Sequence, residues 1–328
     1  MAAKITANMR WIIAFGLVLI PLLSANRYLQ DIAIMTFLWS GLTSSWNLNC
    51  GYSRRLSIGH GAFFGIGAYS SSLLFVYQGI SPWIGMIAGA LISAAAAFIL
   101  GRATLRLKGT FFVLSTIAFA EIIRILAVSL KDLTGGSMGI LIPYEPGLIN
   151  MAWNSKIPFA IITWLYMLLM LYICVRMERS RFGYYLIAIG EDRESAETLR
   201  VDSTKIMVTS FITSAFFTSI GGSIFAQYIM YIEPHSVMGM VQSSLQFILI
   251  GIIGGLGKAF GPFVGAIILI PLSTLLRGYF TEINGLHGLM YGVIMLAVVL
   301  WKPDGMIVQI NLLYQTILKK LGLGGDEK

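Results

Sequence analysis

The stretch Ile157-Pro158-Phe159-Ala160-Ile161-Ile162-Thr163-Trp164-Leu165-Tyr166-Met167-Leu168-Leu169-Met170-Leu171-Tyr172-Ile173-Cys174-Val175 carries no charge and closes on Arg176. An α-helix rises about 1.5 Å per residue, so about 20 such residues cross the roughly 30 Å hydrocarbon core of a bilayer. Apolar segments of similar length recur on both sides of it, with polar breaks between them, and predict about ten membrane-spanning helices. Their limits fall near residues 11–26, 31–49, 58–77, 82–100, 110–129, 157–176, 206–230, 243–257, 261–277 and 285–301. The third, eighth and ninth are short or interrupted by glycine. They suit re-entrant or broken helices, which are tolerated where protein or a water-filled cavity covers the freed backbone groups.

Composition leads to the same class. Of 328 residues, 57% are hydrophobic and 12% charged, and the mean hydropathy of +0.79 leaves too little polar surface for a water-soluble domain. The 35 glycines fit lipid, where small residues let helix backbones approach closely. A net charge of +8 does not indicate nucleic acid, because the cations fall in short segments between apolar runs. With the N-terminus inside, Lys4, Arg10, Arg54, Arg55, Arg102, Arg106, Lys108, Arg176, Arg179, Arg181, Arg193, Arg200, Lys205, Lys258, Lys302, Lys319, Lys320 and Lys328 are cytoplasmic. Arg27, Lys131, Lys156 and Arg277 then fall outside, so both termini are expected in the cytoplasm. Lys4 and Arg10 ahead of the run from Trp11 to Leu23 resemble a signal peptide, but an anchored first helix is the preferred reading.

Two connections stand out within this single transmembrane domain, residues 1–328. The external loop 130–156 carries Thr134-Gly135-Gly136-Ser137-Met138-Gly139, whose unhindered N–H groups offer a cradle for a carboxylate or an ordinary glycine turn. The cytoplasmic loop 176–205 is the most charged part of the chain, and Glu191 to Arg200 within it lacks proline and glycine. With acids toward its start, that segment predicts a short exposed helix.

Candidate chemistry is sparse. Gly254-Gly255-Leu256-Gly257-Lys258 is not a phosphate loop: GxxxxGK[ST] needs glycine where Ile252 stands and a hydroxyl where Ala259 stands. It reads as a tight turn between helices, and any ATP hydrolysis belongs to another chain. His60, His235 and His287 lie far apart without zinc spacing, so no metal or other cofactor is expected. Cys50 and Cys174, equally far apart, read as small buried hydrophobes. His60, between Gly59 and Gly61, can contact substrate or cap a helix. Glu121 and Arg124 share a helix face within a span, which suits either function or packing beside an aqueous cavity. A faint echo of Gly59–Ala68 in Gly257–Ala266 suggests an internal repeat.

Five blocks in order resemble the LivM-type permease subunits of branched-chain amino acid ABC importers. They are Gly51-Tyr52 and Leu56-Ser57 with Gly59-His60 and Ala62 to Tyr69; Phe119-Ala120-Glu121-Ile122; Thr134-Gly135-Gly136 with Gly139-Ile140; Gly254 to Gly257 with Gly261-Pro262; and Trp301-Lys302-Pro303-Asp304-Gly305. The resemblance implies an all-α polytopic protein of a bacterial inner membrane that performs no catalysis itself. Its implied partners are a second homologous permease subunit, two ATP-binding subunits that use the ATP, and an external solute-binding protein. It further implies that Ala188, Glu191, Arg193, Ala196, Glu197 and Leu199 belong to a coupling helix that docks on the ATPase, with Gly59, His60, Phe63, Glu121, Gly135 and Gly136 as the pathway or substrate residues. Arg200 stands where the family has glycine, and Arg54-Arg55 where it has uncharged residues. The rivals are an ion-coupled secondary transporter, which needs an unpaired carboxylate at mid-membrane, and an intramembrane enzyme, which needs converging nucleophile, base or metal groups.

Overall fold

The computed structural model describes residues 11–24, 26–105, 107, 109–279, 286–301, 305–310 and 312. The cations Lys4, Arg10, Arg106, Lys108, Lys302, Lys319, Lys320 and Lys328, and the side chain of His287, lie outside the described residues. So does most of the block Trp301 to Gly305.

Helix occupies every segment the hydropathy marks. In chain order the elements are α1 (Trp11–Leu23), α2 (Arg27–Ser53), α3 (His60–Gln78), α4 (Pro82–Thr104), α5 (Thr110–Ser129) and the single turn α6 (Lys131–Thr134). Strand β1 (Ile140–Leu141) follows, then α7 (Ile157–Glu178), α8 (Arg181–Glu191), α9 (Arg193–Thr198) and α10 (Ser203–Ile229). The chain goes on through β2 (Tyr231–Ile232), α11 (Pro234–Met238), α12 (Met240–Gly254), α13 (Gly261–Tyr279) and α14 (Leu286–Trp301). Among the described residues α4, α5, α7, α10 and α13 are each long and apolar enough to cross a bilayer.

The middle of the bundle is α2. The Asn26 side chain accepts from Tyr28 N–H at its start, and at 27 residues it spans about 40 Å before Arg54 turns the chain in the left-handed region, φ 52°. From Ala33 onward almost all of α2 is buried, much of it small and polar: Thr36, Ser40, Thr43, Ser44, Ser45, Asn47 and Asn49. A helix so rich in hydroxyls is stable here because α10 answers it. Ser45 and Thr218 hydroxyls meet at 2.8 Å, Ser214 donates to Ser45 O at 2.7 Å, and Ser210 donates to Leu48 O at 2.8 Å. Such interhelical bonds in lipid contribute of the order of 1 kcal/mol each. Glycine does the rest where α3 crosses α10: a side chain at Gly67 would collide with the Ser219 carbonyl, and one at Gly222 with the Phe64 carbonyl.

The predicted turn after Gly254 is a built joint. Gly257 N–H donates to Asn47 Oδ1 at 3.0 Å, Asn47 Nδ2 donates to Lys258 O at 3.2 Å, and Ala259 N–H donates to Glu178 Oε1 at 2.6 Å. Gly255 and Gly257 hold positive φ there. At the opposite end β1 pairs antiparallel with β2, Ile140 opposite Ile232, and clasps the loop 130–156 to the end of α10. Cys50 and Cys174 are free and buried. Both segments of the suggested repeat begin helices of 19 residues, α3 and α13.

The short, mostly exposed helix expected over 191–200 is α9, confined to 193–198, because Asp192 separates it from α8, which ends at Glu191. Asp192 is extended and its carboxylate caps the Glu194 N–H at 3.0 Å. Glu191 thus ends α8, and Ala196 is buried. A short polar residue that bonds to its own downstream backbone competes with the helix, which is why the break falls there.

Candidate functional site: two clefts on one helix face and a basic-end hairpin

Met35, Trp39, Trp46, Cys50 and Arg54 recur along α2 at helical spacing and share one face. Two clefts open on that face. The first, of about 310 Å³, lies toward the end carrying Arg277 and has Met35, Trp39, Phe64, Phe225 and Ile229 as its apolar wall. Gln242, Gln246, Ser273, Thr274 and Arg277 form its polar wall. The second, of about 570 Å³, lies toward the basic end, between Trp46, Cys50, Gly51 and Arg54 of α2 and its turn, and Ile252, Leu256 and Lys258 opposite. Helix α12 walls both, with Gln242 and Gln246 above and Ile252 below, and it opens with a π-turn over Met240–Ser244, a geometry frequent at functional sites.

An aromatic cluster, the plug, borders the first cleft. Trp39 stands edge-on to Phe247 at 5.3 Å between ring centroids and lies 5.9 Å from Phe64. Trp46, fully buried, donates its indole N–H to Ser57 O at 3.0 Å. Trp39 on the first cleft and Trp46 on the second are about 10 Å apart along the helix axis. The first cleft has the volume and the mixed wall of a small-molecule site.

The sequence-predicted site residues distribute differently. His60 is completely buried, its ring nitrogens within 3.1 Å of Ser57 Oγ and 2.8 Å of Ser214 Oγ, and the ring packs 6.3 Å from Phe247. It braces the plug from behind. Phe63 points away from the clefts, into Phe119 and Phe211, and its neighbour Phe64, one step of about 100° round the helix, faces them. Gly59 is small because the Thr116 carbonyl lies against it. In the glycine turn Gly135 N–H donates to Lys131 O at 3.0 Å and Gly136 N–H to Thr134 Oγ1 at 3.2 Å. Their N–H groups are spent within the turn, whose left-handed φ of 71° and 59° is what requires glycine.

Glu121 and Arg124 do pair, Arg124 Nε donating to Glu121 Oε2 at 2.9 Å, and Arg124 Nη1 also lies 3.3 Å from the His235 ring nitrogens. Arginine has only donors, so the ring nitrogen accepts. The pair sits on α5, the least enclosed of the five long apolar helices, with the Glu121 side chain 49% exposed beside exposed Ile122 and Ile125.

The hairpin α8–α9 is fastened to the basic end. Leu186, Ile189 and Ala196 pack into a cluster with Tyr52, Leu105, Phe112, Met207 and Val208. Arg193 donates to Leu105 O at 3.0 Å, Ser203 Oγ at 3.0 Å and Thr204 Oγ1 at 3.2 Å while pairing with Glu197 at 2.8 Å. Arg54, on the second cleft, pairs with Glu191 at 2.6 Å. Arg55 donates to Leu105 O at 2.9 Å; burial and then the neighbouring Arg193 charge lower its pKa. Outward, the hairpin presents Ala188, Tyr184, Tyr185 and Leu199, the last 78% exposed. Arg200 holds φ 62°, the left-handed position that glycine fills without strain.

Long apolar helices around a hydroxyl-lined core define a multi-pass integral membrane protein. Residues 28–299 match the family described as branched-chain amino acid transport system, permease component, and the chain belongs to it. It is 30% identical to the high-affinity branched-chain amino acid transport system permease protein LivM of Salmonella typhimurium, over 86% of this chain and 70% of that protein. The LivM protein of Escherichia coli is 29% identical with the same coverage. LivH of Salmonella typhimurium, named as a permease of the same kind of system, is 24% identical over 70% of this chain and 78% of its own length. No solved structure matches.

The plug and cleft residues Trp39, Trp46, Phe64, Gln242, Gln246 and Arg277 escaped the sequence reading. The available signal was the spacing of aromatics along α2, which composition alone does not tie to a cavity.

Proposed function

We propose that this chain is one permease subunit of an ATP-driven importer in a bacterial inner membrane, carrying amino acids with apolar side chains. The observation that carries the reading is the pair of clefts on one face of α2, with the Trp39–Phe64–Phe247 plug bordering the first. A solute passes if the plug yields while one cleft closes, and that is alternating access. The first cleft suits a zwitterion with a branched apolar side chain. Arg277 answers the carboxylate, Gln242 and Gln246 the ammonium, and Trp39, Phe64 and Phe225 the hydrocarbon.

The α8–α9 hairpin is the docking element for an ATPase subunit. It is rigid because its inner face is packed and its Arg193 is bonded on three sides, and its exposed Tyr184, Tyr185 and Leu199 suit a partner's groove. Arg54–Glu191 ties it to the second cleft, so a rigid-body movement of the hairpin reaches the pathway directly. A half-exposed Glu121–Arg124 pair on an otherwise lipid-facing helix belongs beside water or protein, which puts the second permease subunit on α5. An external binding protein delivers solute at the Arg277 end. Among the described residues three carboxylates in or bordering the spans are engaged: Asp31 by Lys156 and Tyr228, Glu121 by Arg124, and Glu178 by Ala259 N–H. This weighs against ion coupling, which needs a carboxylate free to titrate.

The test is copurification of the tagged chain from its native membrane in mild detergent. A second permease and two ATPase chains are expected, with the ATPases lost on Leu199→Asp/Tyr184→Asp and the second permease retained. A chain that stays partner-free and transports solute in vesicles without ATP would overturn the reading.

A further inference from the structure

A third cavity, of about 490 Å³, lies between α4 and α10 at the basic end, away from both clefts. Its mouth holds Arg102 and Lys205, both exposed, with Thr204 and Thr209 beside them, and its floor is Phe98, Val208 and Ile212. Arg102 is already oriented, its guanidinium carbon 5.3 Å from the centre of the Phe98 ring. Asp202 is the acid at this mouth, and its carboxylate caps Lys205 N–H at 2.9 Å, so the side chains carry a net single positive charge. Further along α4, Leu91, Ile92 and Ile99 are also exposed.

Two cations at the end of an apolar groove between membrane-spanning helices match one chemistry. We propose that this cavity binds an anionic phospholipid, its phosphate between Arg102 and Lys205 and one acyl chain along Phe98 and Ile212. A bilayer supplies both parts of such a ligand at this depth, where a free anion would leave the apolar floor uncovered. Arg102 and Phe98 sit one turn apart on α4, as do Lys205, Thr209 and Ile212 on α10, so headgroup and chain each find their own end of the groove. The bound lipid braces α4 against α10 within a turn of Ser203, to which Arg193 of the hairpin donates. The proposal requires only that the chain spans a membrane and does not rest on the importer reading.

The test is lipid binding to the purified full-length chain, read by native mass spectrometry and by thermal stability during titration with phosphatidylglycerol, phosphatidylcholine or inorganic phosphate. Wild type is expected to retain phosphatidylglycerol and to gain thermal stability from it alone. Near a membrane surface each cation contributes about a fivefold factor, so Arg102→Gln/Lys205→Gln is expected to bind about thirtyfold more weakly. Arg102→Lys/Lys205→Arg, which keeps both charges, and Lys131→Gln at the far end are expected to bind as wild type does. Equal phosphatidylglycerol binding by the Gln/Gln variant would overturn the proposal, as would equal protection by phosphatidylcholine or by phosphate alone. A site that an ATPase subunit covers, so that lipid is lost when the complex assembles, would overturn it too.

Discussion

The Arg54–Glu191 pair is the most direct mechanical link between the hairpin and the second cleft, and its strength can be bounded. The charged atoms are 2.6 Å apart, but the two side chains are 64% and 56% exposed. Solvent screening holds such a pair to about 1 kcal/mol at most. Arg54→Glu or Glu191→Arg alone is therefore expected to lower thermal stability by no more than about 2–4 °C. In proteoliposomes reconstituted with the partner subunits, solute moved per ATP hydrolysed should fall up to about fivefold, the factor that 1 kcal/mol allows. The double exchange, Arg54→Glu with Glu191→Arg, restores the attraction and should recover most of the loss, and 0.5 M salt should shrink all these differences. If the exchanged pair assembles normally and remains as uncoupled as the single variants, the pair does not transmit the movement.

Three further outcomes follow from named contacts. Arg277→Gln removes a charged partner worth about 1.5–3 kcal/mol, so half-saturation for amino acid should rise roughly tenfold to a hundredfold in the reconstituted complex, with a carboxyl-amidated analogue unaffected. Phe64→Leu should alter transport selectivity among apolar amino acids while Phe63→Leu alters stability alone, checked by competition uptake and a melting curve. The Asp192 carboxyl is held below the usual range, first by the Ser195 hydroxyl and then by backbone N–H groups of Ser195 and Glu194. Its lowered folded pKa means that the α9 cap is fully present above the ordinary carboxylate range near pH 4 and is lost as pH falls through the folded value. Hydrogen exchange of residues 193–198 should accelerate only below pH 4, and in Asp192→Ala it should be fast throughout.

Arg200 illustrates how a departure from a family pattern becomes physical. Its φ of 62° is where glycine costs nothing and another residue costs about 1–2 kcal/mol, so arginine there strains the end of α9. The left-handed Arg54 carries the same strain, and its guanidinium is placed by it to reach Glu191.

Class and the positions of the apolar helices were legible because they depend on local quantities. A run such as Ile157–Val175 fits no other solvent than lipid whatever its neighbours do, and the absence of a hydroxyl after Lys258 excludes a phosphate loop without reference to any fold. The tight turn at Gly254–Lys258, the buried cysteines and the Glu121–Arg124 pair belong to the same category, since spacing or hydropathy alone implies each. The clefts do not. In a helix surrounded by apolar residues hydropathy gives no direction, so nothing local distinguishes Phe63 from Phe64 or shows that Trp39 meets Phe247. His60 looked available because two glycines flank it, yet Ser214, distant in sequence, takes its ring nitrogen. The hairpin broke at Asp192 because a carboxylate that accepts from the Glu194 N–H outweighs average helix propensity over ten residues. Burial in lipid is decided residue by residue and could be read from the chain. Which face of each helix meets protein, cleft or lipid is decided by all the helices at once, and only their packing could settle it.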